Sequence, residues 1–87
     1  MDVPPEKPKL SKLFRLQWEE AQGDYVLLYP EGMVKLNRSA AEILKLCNGE
    51  RDVHTITDDL ERAFSVVGLK DDVNDFLRIA NERNLIS

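Results

Sequence analysis

Two apolar runs, Tyr25-Val26-Leu27-Leu28-Tyr29 and Met33-Val34-Lys35-Leu36, are separated only by Pro30-Glu31-Gly32. A break that short between strand-forming residues directs the chain into a β-hairpin. Proline at the second and glycine at the fourth position of Tyr29-Pro30-Glu31-Gly32 suit a type I turn, and a left-handed Gly32 would close a three-residue loop with a bulge. In that register Tyr29 opposes Met33, Leu28 opposes Val34 and Val26 opposes Leu36. Val26, Leu28, Val34 and Leu36 are then expected to form an aliphatic core face. Tyr25, Leu27, Tyr29, Met33 and Lys35 fall on the opposite face, which is too apolar for plain solvent and is a candidate contact surface.

The hairpin extends to a three-stranded meander. Leu13 to Glu19 alternates, with Phe14, Leu16 and Trp18 on one side and Arg15, Gln17 and Glu19 on the other. This is the pattern of a half-buried strand, and Trp18 is expected in the core. Ala21-Gln22-Gly23-Asp24 turns the chain into the hairpin. Short connections make all three strands antiparallel neighbours and leave the third with a free edge.

Helical periodicity follows. Ala40, Ile43, Leu44 and Cys47 share one face of a helix that Asn37 or Ser39 can cap, Ser39 and Glu42 having the capping-box spacing. Asn48-Gly49 stops it. Thr55 with Asp58 is a capping pair for a second helix, with Ile56, Leu60, Ala63, Phe64 and Val67 on its apolar stripe and Gly68 at its end. Asp71 or Asp72 caps a third, with Val73, Phe76, Leu77 and Ala80 on one face and Asn84 as its stop. The predicted fold is α+β and winged-helix-like: a three-stranded antiparallel meander followed by three α-helices.

Eighty-seven residues make one domain, burying roughly 60 to 65% of its unfolded surface. Residues 1–9 hold three of the four prolines and read as a flexible N-terminal arm, with residues 10–87 as the folded domain. One cysteine precludes an internal disulfide, and no stretch resembles a signal peptide or a membrane span. A cytoplasmic protein is expected.

The chemistry-bearing residues do not assemble into a catalytic site. Cys47 lies in an apolar helical stripe, where a buried thiol is inert packing. His54, the lone histidine, reads as an exposed loop residue. Asp58, Asp59, Glu61, Asp71, Asp72 and Asp75 sit largely in first helical turns, where the helix dipole favours them. No metal-ligand spacing and no glycine-rich phosphate loop occurs, so neither a metal nor a cofactor is expected.

A winged helix raises DNA binding as the alternative function. Sixteen acidic against twelve basic residues give a net charge of −4, and the third helix carries Asp71, Asp72, Asp75 and Glu82 against Lys70, Arg78 and Arg83. Such a helix would meet phosphates with net repulsion. A peptide groove suits the chain better: a free strand edge offers main-chain hydrogen bonds, and an adjacent amphipathic helix offers apolar pockets. A small dimerisation module, as a weak homodimer or through a covered edge, is the third possibility.

The run Val26-Leu27-Leu28-Tyr29-Pro30-Glu31-Gly32, the pair Leu36-Asn37, the segments Ala41-Glu42-Ile43-Leu44 and Leu46-Cys47-Asn48-Gly49, and Asp72-Val73 with Phe76-Leu77 together resemble the PqqD family of pyrroloquinoline quinone biosynthesis. The resemblance spans about residues 8 to 87. Asn48 departs from the aspartate more usual there, and either residue can end a helix.

The resemblance implies a non-catalytic peptide chaperone related to the recognition elements of ribosomally made, modified peptides (RiPPs). It would bind the leader of the precursor peptide PqqA and present it to the radical SAM enzyme PqqE. It further implies that the leader adds as a strand to the third β-strand and lies against the third helix. Carried onto this chain, that groove comprises Met33, Val34, Lys35 and Leu36 with Val73, Phe76, Leu77 and Ala80. The face bearing Tyr25, Leu27 and Tyr29 is the expected contact for the enzyme.

Overall fold

The computed structural model describes residues 5–87. Its elements run β1 (Arg15–Glu19), β2 (Asp24–Tyr29), β3 (Gly32–Lys35), α1 (Arg38–Lys45), α2 (Val53–Phe64) and α3 (Lys70–Glu82). The strands form one antiparallel sheet in the order β1-β2-β3, so the expected meander and helix order are both present. No helix among the described residues is long and apolar enough to cross a membrane.

The hairpin register differs from the expected one by a single residue. Tyr29 pairs with Gly32, Leu28 with Met33, Leu27 with Val34 and Val26 with Lys35, so the loop holds two residues, Pro30 and Glu31. Gly32 is not among the positive-φ residues. A Cβ there would lie 3.4 Å from the Tyr29 hydroxyl, an ordinary van der Waals contact, so Gly32 is neither a left-handed bulge nor a position that close packing reserves for glycine.

Because side chains alternate along a strand, that one-residue difference exchanges the two faces of β3 relative to β2. Leu16, Leu27 and Val34 lie abreast on one face. Leu27 is 1% exposed and belongs to the central core, whereas Leu16, Leu36 and Phe14 pack against it partly buried. The face bearing Tyr25, Leu27 and Tyr29 is therefore the core face, contrary to expectation. Val26 is buried as well, but outside that cluster, on the opposite face between its pairing partners Gln17 and Lys35. Trp18 also departs from expectation: it is 50% exposed, standing edge-on to Tyr25 with ring centroids 5.1 Å apart.

The helices close the core along most of their expected stripes, although Ala63 and Phe64 of α2 are exposed. Ala40, Ile43 and Leu44 of α1, Ile56 and Leu60 of α2, and Val73, Leu77 and Ala80 of α3 are all buried. The caps are partly different from those expected. Asn37 caps α1 by accepting the Ala40 N–H at 2.7 Å, while Glu42 pairs with Lys45 at 3.1 Å and forms no capping box. Asp52, not Thr55, caps α2, accepting the Thr55 N–H at 2.8 Å. That bond holds the Asp52 carboxyl below the usual aspartate range. Leu69 precedes α3 without a side-chain cap, leaving Asp71 and Asp72 in its first turn. Asn84 adopts φ 61, the left-handed stop its sequence position suggests.

α2 ends earlier than its apolar stripe. Ser65 takes the left-handed conformation, φ 54, immediately after Phe64, so Val67 never joins the helix and is 89% exposed. At the other end of the chain, Lys9 and Ser87 exchange backbone hydrogen bonds of 3.1 and 2.8 Å, and Gly49 N–H donates to the Pro8 carbonyl at 3.0 Å. Pro8 is fully buried. The arm boundary expected at residue 9 thus falls within a paired segment, and residues 1–4 lie outside the described residues.

Candidate functional site: a free strand edge and an apolar cleft

β3 pairs with β2 on one side only, and among the described residues its other edge has no partner. Leu36 N–H donates to the Tyr25 carbonyl at 3.3 Å. Donor directions alternate along a strand, so the Val34 N–H also points toward β2 and the Met33 and Lys35 N–H groups point outward. Met33 and Lys35 thus present a short main-chain ladder. Met33 and Val34 are 49% and 44% exposed, one on each face of the strand, and give a guest strand apolar surface to either side.

An apolar cleft of about 280 Å³ opens at the start of α1, whose first residue, Arg38, follows β3 by three residues in the chain. Its wall is built by Ile43 of α1, Leu60 and Phe64 of α2, Val73 of α3, and Val66 and Leu69 of the α2–α3 connection. Arg38 and Ser39 stand on the α1 side and Asp72 on the α3 side. The connection is held in place by Glu61, whose carboxylate accepts the Leu69 N–H at 3.0 Å. The cleft therefore spans from the residues that follow β3 to the first turns of α3.

The expected groove residues separate into two groups. Met33, Val34 and Lys35 lie on the free-edge strand and Leu36 just past it, partly buried. Val73, Leu77 and Ala80 are in the core, at most 1% exposed; Val73 reaches the cleft wall from within, and the other two offer the packing that fixes α3. Phe76 is half-buried against the same core. Of the expected enzyme-facing residues, Leu27 is wholly internal. Tyr25 and Tyr29 remain partly exposed, with Lys45 Nζ 5.1 Å from the Tyr25 ring centroid and Phe14 5.7 Å from the Tyr29 ring.

Val66, Leu69 and Arg38 were not singled out by sequence reasoning, and Phe64 was expected only on the apolar stripe of the second helix. A signal for Val66 exists in Phe64-Ser65-Val66-Val67, which is more apolar than a connection needs if all of it were solvated. Arg38 becomes informative only once α1 is known to begin at the cleft.

The reactive side chains are occupied structurally. Cys47 is buried, its thiol donating to the Ile43 carbonyl at 3.3 Å, and burial pushes its pKa up to about 11. A thiol held protonated in this way is a poor nucleophile. His54 is exposed and lies 3.2 Å from Asp58. Among the described residues no three His, Cys, Asp or Glu side chains converge in a metal-binding group.

Comparison with known proteins agrees with the architecture. Residues 24–86 match the family model for coenzyme PQQ synthesis protein D. The PqqA binding protein of Methylococcus capsulatus is 51% identical over 72 residues, covering 83% of this chain and 77% of that protein. The PqqA binding protein of Azotobacter vinelandii is 50% identical over 80 residues, covering 91% and 87%. The solution structure of the PqqD portion of Methylobacterium extorquens PqqCD, a stand-alone RiPP recognition element, superposes with a TM-score of 0.71 at 25% identity, covering 92% of this chain and 87% of that one.

Proposed function

We propose that this chain, which belongs to the PqqD family of coenzyme PQQ synthesis proteins, binds the peptide PqqA by adding it as a fourth strand to the free edge of β3, with an apolar side chain in the adjoining cleft. The observation that carries this reading is the unpaired edge of β3, followed three residues along the chain by Arg38, the first residue that lines the cleft. An edge supplies directional hydrogen bonds but little selectivity, and a cleft supplies apolar burial without direction; a peptide that uses both gains affinity and register. A single copy suffices, because edge and cleft belong to one chain.

In this role the protein is a binding module, and the chemistry belongs to a partner. The site holds PqqA extended for the radical SAM enzyme PqqE and leaves the far face of the added strand open to that enzyme. The buried, protonated thiol of Cys47 suits a reducing, cytoplasmic setting. DNA binding has less support: Asp71 and Asp72 stand exposed in the first turn of α3, where phosphates would be repelled.

Calorimetric titration with PqqA tests the reading. Saturable binding with one peptide per chain is expected, together with a negative heat-capacity change from apolar burial in the cleft. Addition of PqqE to the saturated complex should give a ternary species on gel filtration. Heats no larger than dilution would contradict PqqA binding, and exclusion of the peptide from the PqqE complex would contradict its presentation.

A further inference from the structure

We infer that the peptide site continues past the cleft into a second hollow, between α1 and α2, and that PqqA seats a further apolar side chain there against Ala63 and Phe64. This deepens the PqqA reading above and rests on it.

Continuity is the first ground. The second hollow has a volume of about 290 Å³, and Arg38, Leu60 and Phe64 line it as well as the cleft. The two therefore adjoin, with those three residues between them. From this divide the cleft runs toward α3, and the second hollow runs between α1 and α2 to Lys45 and Leu46. Each alone falls just short of the roughly 300–1,000 Å³ of a pocket that buries most of a ligand, and the pair falls within that range. A peptide anchored in the cleft has the second hollow directly beside it.

The overshoot of α2 beyond the core is the second. Ile56, Leu60, Ala63 and Phe64 share its apolar stripe, and the first two are buried, at 0% and 4% exposure. Ala63 and Phe64 are exposed, and among the described residues they join neither the core cluster nor the side chains packed on it. A single exposed apolar residue calls for no explanation. Phe64 differs in forming a wall of two adjoining hollows, and Ala63 lines the second with a single methyl group, which leaves its volume open.

The charges around the second hollow favour an apolar guest over a charged one. Glu42 is paired with Lys45 at 3.1 Å, and Asp59 with Arg51 at 3.2 Å and Arg62 at 2.7 Å. Arg38 is the remaining charged residue that lines it. It is exposed, and a side chain of that length can set its methylenes against an apolar guest while the guanidinium stays in water. A guest carboxylate or ammonium would compete with pairs already made. An aliphatic or aromatic side chain disturbs none of them and gains burial against Leu60, Ala63 and Phe64.

The test titrates PqqA into wild type, Ala63→Lys and Val67→Lys by calorimetry, with the backbone amides followed in parallel. Ala63 is exposed near the C-terminal end of α2, where a lysine suits both the helix and its dipole, so thermal melting should remain that of wild type. The longer side chain of Ala63→Lys occupies the second hollow and should weaken PqqA about five- to twentyfold. Val67 is 89% exposed and lines neither hollow, so Val67→Lys should leave affinity within about twofold. Replacing the apolar residues of PqqA with alanine one at a time should reveal one whose loss weakens binding to wild type about tenfold and to Ala63→Lys less than about threefold, the coupling of a direct contact. On wild type the amides of Leu46 and Ala63 should shift at saturation. If Ala63→Lys binds PqqA like wild type and those two amides stay unmoved while the β3 amides move, the inference is overturned and strand addition stands. It is overturned equally if Ala63→Lys changes only the sedimentation of the free protein, which would make a second copy of the chain the occupant. If PqqA leaves the β3 amides unmoved, the underlying reading fails and this inference with it.

Discussion

Lys35→Pro should raise the dissociation constant for PqqA about ten- to a hundredfold while the protein remains folded. The Lys35 N–H points away from β2, so proline removes a donor that the isolated domain does not use and places a ring where the guest backbone would approach. Loss of one main-chain bond in a partly desolvated ladder, with the accompanying steric clash, corresponds to about 1.5–3 kcal/mol. Lys35→Ala separates the backbone effect from that of the charge, since it removes the side chain and keeps the N–H. Val34→Pro is the contrasting variant: its N–H is directed into the β2–β3 ladder, so proline there should unsettle the hairpin itself. Unchanged affinity in a folded Lys35→Pro protein, read by calorimetry beside circular dichroism, would show that the peptide does not add to this edge.

Leu27→Ala should destabilise the domain by about 2–5 kcal/mol, a loss typical of large-to-small truncation in a packed core. Leu27 is 1% exposed at the centre of the middle strand and joins the cluster formed by all three helices. Its neighbour Leu28 is only partly buried on the other face, so Leu28→Ala should cost distinctly less. Denaturant unfolding of the two variants reads which face of β2 packs on the helices. Leu27 should be the costlier truncation; a larger loss at Leu28 would mean that the face bearing Val26 and Leu28 is the core face.

That register marks the limit of what the residues alone disclose. The helical stripes were legible because their apolar positions recur with one period: Ala40, Ile43, Leu44 and Cys47 are all buried as their spacing requires. In Tyr25 to Tyr29 every residue is apolar or aromatic, so alternation carries no information about which parity faces inward. The turn had to decide, and Pro30-Glu31-Gly32 reads equally as a three-residue loop or as a two-residue loop with Gly32 already in β3. The pairing of Tyr29 with Gly32 resolves it. Reading β1 jointly with β2 helps, since Phe14, Leu16 and Trp18 share the face that carries Tyr25, Leu27 and Tyr29.

The candidate site was legible in outline. A meander ending in a free edge follows from short connections, and the residues on it, Met33 to Lys35, were readable from the sequence. The cleft was not, because it depends on where α2 stops. Phe64 and Val67 continue the helical spacing, yet Ser65 turns left-handed between them and redirects Val66 and Leu69 into the cleft wall. Pro8 shows the same limitation in reverse. Its proline-rich context suggests an unstructured arm, but its carbonyl accepts the Gly49 N–H and its ring is buried, contacts between chain segments that no local pattern reports.

The most direct measurement of strand addition is titration of isotope-labelled protein with unlabelled PqqA, followed through the backbone amides. The outward-pointing N–H groups of Met33 and Lys35 should shift most along β3 and gain protection from hydrogen exchange, since each acquires an acceptor. The Val34 N–H, already bonded within the sheet, should change little in protection. Amides of Arg38, Val66 and Leu69 should move as the cleft fills. Shifts confined to other surfaces, or exchange at Met33 and Lys35 unaltered at saturation, would contradict pairing of the peptide with β3.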